Sequence, residues 1–238
     1  MAASPDTDRA PRILSQLAGL GRFFDVGTGA VPFQARPWAE LATDRVALAD
    51  RVDGVAHRLA PVERRVATSV MFQGLAARVW SPLIGSHLCH DALLDLSPDT
   101  LAWLPAPGGA VPLHCARPAV HRDATPAAVY ARGLRLLEPV ADGLRELLPI
   151  SPRVLWGNSA STVAEALGAV TAARPDLTER ARELGAALTE HDRHAGLGTW
   201  IPGSPRPNFG YRRLSCCLYH RKSGVSPCGD CVLRGRDR

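Results

Sequence analysis

Cys216 and Cys217 stand side by side, and ten residues later Cys228 and Cys231 follow with two residues between them. Four of the chain's six cysteines therefore lie within sixteen residues. Clustered thiols do one of three kinds of chemistry: they oxidise to disulfides, they hold a structural zinc, or they ligate an iron–sulfur cluster. Disulfides need an oxidising compartment. The first dozen residues are polar and mixed in charge, with no basic segment leading into an apolar run, so no secretory signal is expected. No stretch approaches about 18 uninterrupted apolar residues, so no transmembrane helix is expected and the chain reads as cytoplasmic. That setting disfavours disulfides and leaves zinc or iron–sulfur.

Zinc knuckles usually present two Cys-x-x-Cys pairs, whose spacing lets both sulfurs reach one ion. Here the first pair is adjacent, and neighbouring side chains diverge in extended backbone. A two-iron cluster has two metal centres to serve and tolerates diverging ligands better. Gly224 and Gly229 would let backbone approach the sulfides. Spacing alone favours iron–sulfur and keeps a structural four-cysteine zinc site, in a module with no enzymatic role, as the alternative. The charge agrees with a site at this end. From Arg206 onward eight basic residues face two acidic ones, so the net charge of +5 belongs to the tail and the rest is about neutral. Arg212, Arg213, Arg221 and Lys222 are candidates for docking an anionic ligand or an acidic donor protein.

Other constellations are weaker. His87 and His90 flank Cys89 at helical spacing, with His114 and Cys115 downstream; buried helix side chains explain them better than a second metal. Asp91 and Asp95, four residues apart, read as a solvated face. Trp156 and Asn158 open a helix; Trp156 reads first as a core side chain and second as a candidate for lining a ligand cleft. Gly27-Thr28-Gly29 lacks the third glycine of a dinucleotide loop, and no P-loop or flavin signature is present. Aromatics are sparse and no nucleic-acid motif accompanies the basic tail.

The run Arg212-Arg213-Leu214-Ser215-Cys216-Cys217-Leu218-Tyr219 with Cys228-Gly229-Asp230-Cys231 resembles the C-terminal signature of the FhuF-type ferric siderophore reductases. Leu94 to Pro98 and Arg153 to Asn158 are also similar to segments of that family, so the resemblance spans roughly residues 60–233. His220, Arg221 and Lys222 depart from its more aromatic sequence. The resemblance implies a [2Fe–2S] cluster on Cys216, Cys217, Cys228 and Cys231. It also implies one-electron reduction of a ferric siderophore, hydroxamate type first. The electrons would come from an external donor such as a ferredoxin or flavodoxin, in the cytoplasm or at the inner face of the membrane.

The elements that must carry this site are mainly helical. Prolines at 37, 61, 82, 126, 152 and 175 each precede a helical pattern, and proline suits the first helical position. Helices are predicted at about 37–51, 61–79, 82–94, 126–148, 152–172 and 175–191, with a short one over 13–20. Pro139 is expected to kink or split the fourth. Leu101 to Leu104 and Val111 to Cys115 flank a Pro/Gly turn and read as a hairpin. Gly- and Pro-rich residues after His191 read as a linker. The expectation is an α+β fold, mainly α-helical. Residues 1–195 form the siderophore-docking body, with 1–12 mobile, and residues 196–238 are linker and cluster-binding segment.

Overall fold

A computed structural model describes residues 6–106, 111–122, 124–201 and 209–233. The fold is α+β and mainly helical. The helices are α1 (Arg9–Ala18), α2 (Glu40–Thr43), α3 (Arg45–Leu59), α4 (Arg64–His90), α5 (Pro126–Leu147), α6 (Pro152–Ala173) and α7 (Thr178–Thr189). The strands are short: β1 (Val26–Thr28), β2 (Arg36–Pro37), β3 (Leu93–Leu94), β4 (Leu101–Trp103), β5 (Leu113–Cys115), β6 (Val120–His121), β7 (Gly198–Trp200) and β8 (Tyr211–Arg213). They form a four-stranded sheet in the order β1-β5-β4-β2 and two pairs, β3 with β6 and β7 with β8.

The predicted hairpin is β4 and β5, antiparallel with Leu101 opposite Cys115 and Trp103 opposite Leu113; residues 107–110 of its turn lie outside the described residues. Thr125 and Ser151 cap α5 and α6, their hydroxyls accepting from Ala128 N at 3.2 Å and Arg153 N at 3.3 Å, with Pro126 and Pro152 in the first turns.

Several expectations are corrected. The helix predicted over 37–51 is broken at Asp44, whose carboxylate accepts from Val46 N and Ala47 N and starts α3. The two helices predicted over 61–79 and 82–94 are one helix, α4, which runs through Pro82. Pro82 removes one ladder donor, but Val79, Trp80, Leu83 and Ile84 around it are fully buried, and the continuous apolar surface holds the helix together. Pro139 likewise does not split α5. The helix α1 begins at Arg9, inside the expected leader, and Asp6 pairs with Val120. Val26–Thr28 pairs in parallel with β5.

At the centre α4 packs most extensively on α6. Both are buried around most of their circumference, as core helices are. Small residues on α6, from Gly157 through Ser159, Ala160, Ser161 and Ala164, let neighbours come close. That closeness is what seats the tail.

Candidate metal centre

The segment after His191, expected as a linker, is a short 3₁₀ turn at Asp192–His194 and then a ribbon of β7 and β8 laid on α6. Two glycines make the seat. A Cβ on Gly198 would stand 2.1 Å from the Tyr211 ring, and one on Gly157 would stand 1.9 Å from Ser215 Oγ. Leu214 N donates to Leu197 O at 2.8 Å and carries the chain to the cysteines. Residues 202–208 within the ribbon connection lie outside the described residues.

Beneath the cysteines runs a buried polar network. Arg213, expected among the surface cations, has no exposure to water. It is one of three polar partners drawn together from separate elements. Arg213 Nη2 donates to Asn158 Oδ1 at 2.5 Å, Arg213 Nε lies 3.7 Å from Asp230 Oδ2, and Arg213 N donates to Asp230 O at 3.2 Å. Asn158 Nδ2 donates to Ser69 O and Ser69 Oγ, both at 2.8 Å, and Ser69 Oγ donates to Cys217 O at 2.6 Å. Ser161 Oγ donates to Asp230 Oδ2. Thus α4, α6, β8 and the Cys-Gly-Asp-Cys turn are joined through groups that burial obliges to find partners. The charge of Arg213 faces Cys217 and Cys228, and a side-chain hydrogen bond joins it to Cys228.

The thiols themselves are arranged unequally. Cys217 Sγ and Cys228 Sγ are 3.7 Å apart. A disulfide brings sulfurs to about 2.05 Å. Two thiolates on one tetrahedral ion, with bonds of about 2.3 Å, stand about 3.8 Å apart. The pair therefore has the separation of two ligands of one metal. Cys216 Sγ accepts from Leu218 N at 3.3 Å and meets His220 Nδ1 at 3.2 Å; Cys231 Sγ accepts from Leu233 N at 3.4 Å. A hydrogen bond from Cys228 lowers the pKa of Cys217, with Arg213's charge and the Tyr219 N–H acting the same way; the same bond raises that of Cys228. Burial raises the pKa of Cys216. Leu218 takes a left-handed backbone, φ 65°, which turns the chain directly after the adjacent pair.

Among the described residues, no group of three or more His, Cys, Asp or Glu is gathered as a metal ion requires. Of the four thiols the structure brings two together, Cys217 and Cys228; Cys216 is engaged by Leu218 N and His220, and Cys231 by Leu233 N.

One carboxylate faces this region without being part of the network. Glu165 reaches water from a crowded stretch of α6; desolvation raises its pKa to about 7, with the negative charges of Asp230 and Cys217 adding and Arg213 opposing. The sequence offered one usable signal for these groups. Ser69 interrupts the apolar stripe of α4, and Asn158 and Ser161 interrupt an Ala-rich helix, and a polar side chain in an apolar face must pair with something.

The remaining expected site residues are dispersed. Arg221 pairs with Glu63 at 2.5 Å and Lys222 Nζ donates to Leu59 O at 3.2 Å, so both tie the tail to the α3–α4 junction. Arg212 lies half-buried on β8. Trp156 lies in the core, as its first reading has it, buried against the Phe72 edge at 6.0 Å. His87, Cys89 and His90 lie in the last turns of α4, and His114 Nε2 meets Gly29 O at 3.2 Å. Asp91 and Asp95 do not share a helix face, because α4 ends at His90; Asp95 pairs with Arg132. No protein-family model and no curated protein matches the chain.

Proposed function

We propose that the chain is a one-electron reductase of ferric siderophores that holds a [2Fe–2S] cluster on Cys216, Cys217, Cys228 and Cys231. The observation that carries the reading is the Cys217–Cys228 pair, at the spacing of two ligands on one metal and directly over a fully buried guanidinium. The motif resemblance names the cluster and the substrate class. When bound, such a cluster supplies a single electron at a time, which is what conversion of Fe³⁺ to Fe²⁺ takes. Hard anionic oxygens hold Fe³⁺ tightly and Fe²⁺ weakly, so one electron releases the metal from its chelator.

The chain's own residues do the rest. Cys217 is the readiest thiolate, and Arg213 offsets the negative charge that four thiolates bring into a buried place. The N–H groups of Leu218 and Leu233 fix two sulfurs, and Ser69 holds the Cys217 carbonyl to α4. Protein donors to the sulfurs favour an added electron and raise the potential. The chain's net charge of +5 suits an acidic donor such as a ferredoxin or flavodoxin, in the cytoplasm or at the inner membrane face. No helix of the described residues is long and apolar enough to cross a membrane.

Anaerobic purification tests this. A red-brown protein absorbing between about 300 and 600 nm, with iron and acid-labile sulfide in equal amounts at two per chain, is the expected result. A colourless protein with one zinc and no sulfide would contradict it and establish the structural four-cysteine zinc module instead.

A further inference from the structure

His220 stands over the cysteine site without being one of its ligands. Its Nδ1 lies 3.2 Å from Cys216 Sγ, and the same sulfur accepts from Leu218 N at 3.3 Å. A ligating thiolate carries no proton and keeps lone pairs free for hydrogen bonds, so towards it the ring nitrogen must donate. Such a bond, made to a charged acceptor, is among the stronger hydrogen bonds a side chain forms.

The backbone and its neighbours build this contact. Leu218 has a left-handed backbone, φ 65°, and reverses the chain after Cys217. Tyr219–Arg221 then form a 3₁₀ turn, with Arg221 N donating to Leu218 O at 2.9 Å and Lys222 N to Tyr219 O at 3.0 Å. The turn brings the His220 ring back to Cys216. The two residues that follow fasten it: Arg221 pairs with Glu63 at 2.5 Å, and Lys222 Nζ donates to Leu59 O at 3.2 Å. Both partners lie at the α3–α4 junction, so the helical body sets where the ring stands.

The sulfurs differ in their surroundings. Cys217 and Cys231 are buried, Cys216 and Cys228 are partly exposed, and His220 is exposed. Arg213 serves Cys228 from inside the polar network that seats the tail, so it cannot change without unseating that network. His220 serves Cys216 from the rim, where a substitution leaves the core untouched.

We propose that His220 is a positioning residue that acts through Cys216: by donating Nδ1–H to Cys216 Sγ it raises the reduction potential of the centre. Reduction adds negative charge that the sulfurs share, and a donor at a sulfur favours the reduced form. The inference rests on the reading of Cys216 as a metal ligand, and its statement about potential rests on the [2Fe–2S] reading.

Two measurements on the full chain separate the inference from the reading beneath it. Each compares wild type with His220→Phe, which keeps a flat ring and removes the donor, and with His220→Asn, whose side-chain amide N–H takes the place of Nδ1–H. In the first, the metal-free reduced chain is titrated with Co²⁺ at one fixed pH, and the thiolate-to-metal charge-transfer band reports electron density on the ligating sulfurs. His220→Phe should move that band to longer wavelength, and His220→Asn should leave it near the wild-type position. In the second, the chain carrying the cluster is titrated for its midpoint potential. His220→Phe should lower the reduced-to-oxidised ratio at a given potential roughly tenfold, or about 59 mV for one electron, and His220→Asn should recover most of the loss. An unchanged band or an unchanged potential in His220→Phe would overturn the proposal. So would His220→Asn shifting as far as His220→Phe, or a chain that gives no thiolate band with Co²⁺. The band shift in a chain that assembles no cluster would support the donor at Cys216 and contradict the reductase reading instead.

Discussion

A guanidinium sealed from water is stable only among partners, and Arg213 has Asn158, Asp230 and the thiols. Truncating one member of such a set strands the others. Arg213→Met should therefore lower stability by about 3–5 kcal/mol, read as a fall in the urea midpoint. In metal-free protein it should also raise the pH at which the first thiolate absorbance appears, because the cation that favours Cys217⁻ is gone. An unchanged thiolate titration in a folded Arg213→Met protein would show that the charge does not reach the pair. Cys217→Ser removes half of the preformed pair and should abolish cluster retention and reductase activity together. A variant that keeps both refutes the ligand assignment. At this scale the cysteines were legible in the sequence, because spacing alone restricts what thiols can do. The role of Arg213 was not: in the sequence it is one cation of a basic tail, and only burial separates it from Arg212 and Arg221.

Elements meet at two junctions whose failure should look different. At the first, His194 Nε2 accepts from the Ser159 hydroxyl at 2.9 Å while Trp80 Nε1 donates to the same oxygen at 2.8 Å, and His194 Nδ1 donates to Leu188 O at 2.9 Å. Every site of the ring is used in its neutral form, and burial holds its pKa at about 4, below the ordinary 6.5. A depressed histidine contributes stability that is complete above about pH 6.5 and is lost as pH falls towards about 4, up to about 3 kcal/mol. The unfolding midpoint should fall over that window, and His194→Gln, weaker at neutral pH, should flatten the slope. A slope unchanged in His194→Gln would place the proton uptake elsewhere. At the second junction Gly157→Ala drives a methyl group into Ser215. The tail should become accessible to protease while α1 to α7 keep their helical signal, and Ser215→Gly in the same chain should restore part of the protection. Loss of helical signal instead would mean that Gly157 serves the body rather than the tail. The helices were largely readable from proline positions and periodicity. Pro82 misleads because burial on both sides of it outweighs one lost hydrogen bond. The strand Val26–Thr28 is invisible locally because its partner, β5, lies far along the chain.

Across the molecule, a helical body with its own core carries a short tail whose chemistry depends on being held. The contacts that hold it are side-chain and backbone hydrogen bonds to α4 and α6, none of which needs a metal. Chelation should thus leave far-ultraviolet circular dichroism nearly unchanged and raise hydrogen exchange only around residues 214–233. Exchange spreading through α4 and α6 would show that the metal organises the body as well. The proportion of helix was legible from composition and punctuation. The joining of Ser69, Asn158, Ser161 and Asp230 was not, since it exists only once α4 and α6 lie side by side under the tail. In the proposed reaction, electrons pass singly from this tail to ferric iron. The most direct measurement is stopped-flow mixing of the anaerobically reduced protein with a ferric hydroxamate siderophore, following reoxidation optically and Fe²⁺ with a ferrous chelator. One Fe²⁺ released per reoxidised chain, with the reduced protein's electron paramagnetic resonance signal lost at the same rate, is the predicted result. A reduced protein that keeps its signal in the presence of excess ferric siderophore, or that holds no reducible centre, would contradict the account.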